Sequence, residues 1–315
     1  MELCLMIEGQ EDVTWEGWLA LARACEEHGI GTLFRSDHYY SVDERGERGA
    51  LDAWATIAGL GAVTETLRFG TLVSPASFRH PSVLAKSVVT ADHISGGRVE
   101  LGLGTGWWEA EHSAYGFPFA SMRERMDVLA EQVEIVCRTW DEGPFTFEGS
   151  HYTLRDLDAQ PKPVQRPRPP LLLGGMAGRR SAALAARWAD EYNTVYPTPD
   201  DVRERRGNVE RACEEAGRES LRFSGMTGFV LGRDRDEVLD RARRLAEWQG
   251  EGAADPQAFV DGLPDAWIVG TVDEAAEQLS ALAEAGLDRV MLQHHLHHDL
   301  DAVALIGRDL ATAVG

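Results

Sequence analysis

Short apolar runs recur along this chain from end to end, and stretches with helical spacing separate most of them. Leu3 to Ile7, Thr32 to Arg35, Arg68 to Val73 and Val99 to Leu103 are the first four runs. A fifth opens at Leu171, and Glu191 to Val195, Leu221 to Leu231 and Arg289 to Leu292 complete a set of eight. Thr14 to Glu27 carries Trp15, Trp18, Leu19 and Ala22 on one helical face. Asp52 to Val63, a segment opened by His80-Pro81, Ser121 to Trp140 and Pro199 to Ala216 continue the rhythm, and Thr271 to Glu274 has capping-box spacing. Such a chain predicts an α/β fold, a closed (β/α)8 TIM barrel, because right-handed crossovers make closure economical. An open doubly wound sheet is the alternative. The barrel is predicted to be one domain over 1–315, with insertions at about 104–120, 141–170 and 249–266. In the second insertion Phe145, Phe147 and Tyr152 alternate like a small hairpin, while the third is polar and reads as a loop.

Composition narrows the partners. Lys and Arg number 31 against 52 Asp and Glu, a formal charge of −21, which argues against nucleic acid or an anionic membrane surface. No apolar run approaches the roughly 18 residues of a membrane span. The start of the chain lacks the basic and apolar regions of a secretory signal, so a cytoplasmic protein is expected. Cys4, Cys25, Cys137 and Cys213 have no metal-like spacing and are expected as reduced thiols.

In a parallel barrel the residues just after each strand converge on one mouth. Here they are Glu8; Ser36, Asp37 and His38; Ser74; Gly104-Thr105-Gly106-Trp107-Trp108; Gly174 onward; Tyr196; and Gln293-His294-His295. His38 titrates near neutrality, and Asp37 beside it is the candidate to fix the loop and the imidazole. Thr105 and Gly106 could pass under a flat ring, which Trp107 and Trp108 could wall. Glu8, Tyr196, His294 and His295 are further pocket candidates, and no metal is expected because no ligand set is complete. The strongest signal is Leu171 to Arg180, where an apolar strand meets Gly174, Gly175, Ala177 and Gly178 before a helix. A helix N-terminus presents unpaired N–H groups that suit a phosphate, and Arg179 or Arg180 can add a charged fork.

Ser36-Asp37-His38, Gly70 to Ser74, Arg79-His80-Pro81, Ile94 to Arg98, Leu101 to Trp107, Glu109 to His112, Tyr115 to Phe119, Arg123, Arg125, Phe147 to Gly149, Pro161 to Pro163 and Gly174-Gly175 occur in a familiar order. As a set they resemble the luciferase-like monooxygenase superfamily, within it the branch that uses the deazaflavin coenzyme F420. The resemblance implies a cofactor at the barrel mouth, with Asp37 touching it and His38 at its reacting face. It implies Ser74, Thr105 and Gly106 along the ring, Gly174, Gly175, Ala177 and Gly178 on the phosphate-bearing tail, and a homodimer. It also implies a cis peptide in the third strand, expected between Thr71 and Leu72. Relatives that oxidise sugar phosphates carry a glutamate where Trp107 stands, so a phosphorylated sugar is not expected.

Three functions follow. The first is hydride transfer between coenzyme F420 and a small organic substrate, with His38 as proton donor or acceptor. The second is a two-component monooxygenase using FMN, with a separate reductase supplying reduced cofactor. The third is a flavin-binding barrel without turnover.

Overall fold

The computed structural model describes residues 1–42, 48–252 and 255–314. Eight parallel strands form the ring: β1 (Glu2–Ile7), β2 (Thr32–Arg35), β3 (Arg68–Thr71), β4 (Val99–Gly104), β5 (Leu171–Gly174), β6 (Glu191–Val195), β7 (Arg222–Gly232) and β8 (Arg289–Gln293). Neighbours follow chain order, and β8 returns to β1 with Glu2 opposite Arg289 and Met6 opposite Gln293, which closes the barrel. The chain order of the apolar runs therefore reads directly as the spatial order of the staves.

Helices sheathe the ring, and their ends are written in the sequence. Thr14 accepts a 3.1 Å bond from Gly17 N–H to start Trp15–His28, and Gly29 ends it at φ +81°. A cap of this kind contributes about 1 kcal/mol. Apolar side chains then fill two layers. One lies between strands and helices and includes Leu5, Trp18, Val88 and Leu292. The other, inside the barrel, is Cys4, Met6, Phe34, Leu72, Leu172, Met226 and Met291.

Below that second layer the lumen is charged. Arg289, 1 % exposed, donates to Glu100 Oε2 at 2.8 Å, Glu191 Oε2 at 3.0 Å and Cys4 Sγ at 3.0 Å. Its guanidinium lies 4.8 Å from the centre of the Phe34 ring. Arg68 adds a 2.9 Å bond to Glu100, and Arg222 pairs with Glu2 at the rim. Burial pushes the Glu191 carboxyl above the ordinary carboxylate value even against Arg289, and its Oε1 has no hydrogen-bond partner.

Two features depart from the sequence reading. β7 runs on beyond the ring: Arg222 to Gly228 pairs with β6 and β8, whereas Phe229 to Gly232 pairs with an additional parallel strand, Ile268–Thr271. The expected loop at about 249–266 contains a helix, Pro256–Asp261, capped by Asp255, and residues 253–254 of that segment lie outside the described residues. The hairpin at Phe145–Glu148 and Thr153–Leu157 is present, with Phe147 opposite Leu154. No described helix is long and apolar enough to cross a membrane, and the four cysteines are free and buried.

Candidate active site

The C-terminal ends of the strands deliver the chemistry. Beyond β2, His38 Nδ1 lies 2.7 Å from Glu111 Oε2. Glu111 is fully buried, and its other oxygen accepts from Tyr39 N–H at 2.6 Å and Tyr40 N–H at 3.2 Å. Glu111 belongs to the short helix Glu109–Tyr115, which Gly116 stops at φ +72° and which folds back over the loop after β2. Burial alone would lower the pKa of His38. The hydrogen bond and charge of Glu111 outweigh it, with Glu8 and Asp37 adding, so the imidazole holds its proton above the ordinary histidine range. Trp107 and Trp108 stand edge-on to the imidazole, at 5.8 and 6.2 Å between ring centres.

Asp37 does not orient His38, contrary to the sequence reading. Neighbouring side chains in extended backbone point to opposite sides. Asp37 therefore turns away, to Arg79 Nη1 at 2.5 Å, Arg79 Nη2 at 3.1 Å and Ser74 Oγ at 2.6 Å. Arg79 is also held by Asp52 Oδ2 at 2.6 Å and by Tyr39 Oη at 2.7 Å, and Trp54 Nε1 donates to Ser74 at 3.1 Å. This network braces the floor of the mouth.

The floor itself is a shoulder in the third stave. The ladder bond from Leu72 N–H to Arg35 O, 2.8 Å, keeps the Thr71–Leu72 peptide within the sheet. The cis peptide accordingly falls one bond later than expected, between Leu72 and Val73, before Ser74–Pro75 pairs with β4. The Thr71 side chain is buried, donating to Gly102 O at 2.9 Å, so only its backbone can serve a ligand. A Cβ on Gly102 would sit 2.0 Å from Thr71 O, and one on Gly104 would sit 2.7 Å from Val73 Cγ2. β4 can pass this shoulder only without side chains there.

Across the mouth, β5 leads into the glycine turn. Gly175 N–H donates to Asn193 O at 3.0 Å, and Ala177, at φ +51°, donates its N–H to Tyr192 Oη at 2.9 Å. The helix Arg179–Trp188 opens at Gly178 with no side-chain cap. A Cβ on Gly178 would meet nothing within 4 Å, so the space before the first turn is open. Its uncapped N–H groups form a donor set that fits an anionic tail. Arg179 is exposed, whereas Arg180 turns to Asp127 at 2.5 Å. Because all the staves are parallel, this corner lies on the same rim as His38. Thr105 is half-buried beside Gly106 (φ +75°) and lines a neighbouring cleft of about 390 Å³ with Phe78, Arg79, Arg125 and Tyr152.

The opposite side of the mouth joins β8, β1 and β6. Tyr196 Oη donates to Gln293 Oε1 at 2.5 Å, Gln293 Nε2 donates to Glu8, and Gln10 Nε2 reaches Glu8 Oε2 at 2.8 Å. Ser36 Oγ donates to Gln10 Oε1 at 2.6 Å, which ties the chain of amides to β2. Burial, with Glu8 nearby, pushes the Tyr196 hydroxyl up to about 12. Alternation along β8 sends His294 outward, where it stacks on Phe229 and bonds Asp299 O at 3.0 Å; it is packing between barrel and helices, not pocket wall. His295 lies between Trp248 and Trp267, 5.6 and 5.4 Å away, with both ring nitrogens sealed from solvent and unpartnered.

Glu111 and Arg79 are the residues that reasoning from sequence did not single out. Each sits inside a motif that drew attention as a block, but a buried partner is legible only once two loops are known to meet. Among the described residues no group of three or more His, Cys, Asp or Glu side chains is placed to hold a metal ion.

Known proteins share this design. The family model for luciferase-like monooxygenases matches residues 5–289. An FMNH2-dependent dimethylsulfone monooxygenase of Pseudomonas putida is 27% identical over 281 residues, covering 80% of this chain and 76% of its own. An uncharacterised protein of Mycobacterium tuberculosis is 29% identical over 280 residues, 84% of this chain and 92% of its own. The crystal structure of the monooxygenase RslO1 from Streptomyces bottropensis superposes with a TM-score of 0.84 at 22% identity over all of both chains. An F420-dependent secondary alcohol dehydrogenase superposes with a TM-score of 0.81 at 20% identity, again over all of both chains. With the family model matching most of its length, the chain belongs to the luciferase-like monooxygenase family.

Proposed function

We propose that the protein is an oxidoreductase that moves a hydride between coenzyme F420 and a small organic substrate, with His38 giving or taking the accompanying proton. The observation that carries this reading is the His38–Glu111 pair, a 2.7 Å contact at the barrel mouth whose carboxylate is wholly buried. A histidine so placed keeps a proton available near neutral pH, and the carboxylate fixes which ring nitrogen faces the substrate. When bound, the deazaflavin supplies the hydride chemistry itself.

The chain's own residues then bind, orient and exclude water. Gly174, Gly175 and Ala177 shape the turn, with the Gly175 and Ala177 N–H groups already bonded within it, and the open space at Gly178 with the uncapped amides of the helix that follows offers the tail its cradle, where Arg179 is exposed. Leu72, Ser74, Thr105 and Gly106 line the ring. Asp37 serves that ring indirectly, through the bond that holds Ser74. Trp107, Trp108 and Tyr40 form an apolar wall beside His38, with Tyr40 and Trp108 5.5 Å apart.

A second reading, an FMN-dependent monooxygenase served by a separate reductase, is favoured by the cofactor named for the Pseudomonas putida relative. Titrating apo-protein separately with F420, FMN and FAD, followed by fluorescence and heat, separates the two. Binding of F420 at least about tenfold tighter than either flavin, a difference of about 1.4 kcal/mol, is the expected result. Preferential FMN binding with oxygen consumed stoichiometrically against reduced FMN would replace the first reading with the second.

A further inference from the structure

Among the described large apolar side chains Trp107 is the most exposed, with 61 % of its surface open. A slack loop is not the cause, because its neighbours in the chain are both held. Gly106 O accepts from Arg125 Nη1 at 3.0 Å, and Trp108 O accepts from His112 N–H at 3.3 Å with His112 Nδ1 2.7 Å away. The fold thus fixes the backbone of an indole that it leaves unburied. Burying so large an apolar surface is ordinarily favourable, so a ring mounted firmly in the open is available to a ligand.

The ring does not stand alone. Tyr40, Trp108 and Trp107 form a stack, with 5.5 Å and then 6.0 Å between ring centres and planes 34° and 19° apart. Tyr40 anchors the inner end, its N–H held by the buried Glu111 carboxylate. Trp107 is the outer end, and among the described residues no further ring continues the series. That end lies beside His38, 5.8 Å away between ring centres with the planes 80° apart. Glu111 takes His38 Nδ1, whereas Nε2 has no hydrogen-bond partner among the described residues and the side chain keeps 12 % of its surface open. A flat apolar ring and a free ring nitrogen therefore sit side by side at the mouth.

We propose that Trp107 is the specificity-determining residue of this site, and that the substrate carries an aromatic ring. The ring continues the stack on the indole and sets an oxygen function, one or two bonds away, against His38 Nε2. Offset stacking of flat rings gains beyond the area it buries, which a saturated ring of equal size does not match. Flatness, rather than hydrophobicity, is the selected property. Stacking also confines the oxygen to poses near the imidazole, and such positioning counts towards rate. This assignment deepens the oxidoreductase reading and rests on it for calling the bound molecule a substrate.

The test compares 2-naphthylmethanol with its fully saturated counterpart, decahydro-2-naphthylmethanol, by calorimetry on the protein without and then with F420. The flat alcohol should bind about three- to tenfold tighter in at least one of the two states, although the saturated one is the more hydrophobic. Trp107→Leu should remove that preference, and Trp107→Phe should keep most of it; the exposure of the indole makes both changes mild for the fold. The His38 imidazole signal in proton NMR should shift when the flat alcohol binds the parent, and shift less in Trp107→Leu. Equal binding of the two alcohols in both states, or no binding in either, overturns the proposal. So does a preference that survives Trp107→Leu, or a His38 signal that stays put in the parent. A loss of about tenfold or more in F420 affinity in Trp107→Leu overturns it too, because the indole would then seat the cofactor. Failure of F420 to bind the parent sinks the oxidoreductase reading, and the ring preference is then judged by the two alcohols alone.

Discussion

The two ends of the barrel lumen hold buried charge on opposite terms. At the closed end Arg289, Arg68 and Arg222 face Glu2, Glu100 and Glu191, three cations against three acids, bound into one network. At the mouth Arg79 answers Asp37 and Asp52, and His38 answers Glu111, but Glu8 has only amides and His295 has nothing. The same staves supply both ends. The difference is one of charge pairing: the acids of the closed end face arginines, whereas at the mouth Glu8 is left to amides.

The sharpest way to break that contrast is at His38. His38→Ala should lower turnover per folded molecule by about 10²–10⁴-fold while cofactor affinity stays close to the parent, since the ring serves proton transfer. Near-normal turnover with F420 bound would remove His38 from the chemistry. At the closed end the effect should fall on stability instead. Arg289→Ala strips buried Glu191 of its cation and leaves Glu100 to Arg68 alone, and should cost about 3–5 kcal/mol in urea unfolding, with turnover per folded molecule unchanged. A loss below about 1 kcal/mol would mean that Glu100 and Glu191 simply take up protons, and that the network is not the lock described above.

The subtlest test concerns pH. Glu111 raises the folded-state pKa of His38, so its contribution to stability is present below the ordinary histidine pKa and is lost as pH rises through the raised one. Glu111→Gln removes that charge and leaves burial opposed only by the weaker pull of Glu8 and Asp37. The inflection in the pH–rate profile assigned to His38 should then move to lower pH. An inflection that stays put would show that Glu111 only anchors the Tyr39 and Tyr40 backbone.

Much of this was legible in advance, for a definite reason. Strands buried on both faces read as unbroken apolar runs, so the eight staves and their order follow from the chain alone. The strand Ile268–Thr271 did not, because it is four residues long beside a polar stretch and pairs only with the overhang of β7. His38 was visible as a titratable group after a strand. Its true partner was not, since Glu111 lies 73 positions away and only the fold of a short helix brings them together. Asp37, adjacent in sequence, looked the better partner and points elsewhere because neighbours on extended backbone diverge. Proximity along the chain misled where alternation should have warned.

The bare backbone of β4 at Gly102 and Gly104 carries a consequence for anyone reshaping this protein. The contour on which a cofactor would rest is moulded by missing atoms, and a single added methyl at Gly102 would collide with Thr71 O before touching any ligand. Redesign of the cofactor seat is therefore better begun from Trp107, whose side chain is exposed, than from the hollow strand that gives Val73 its room.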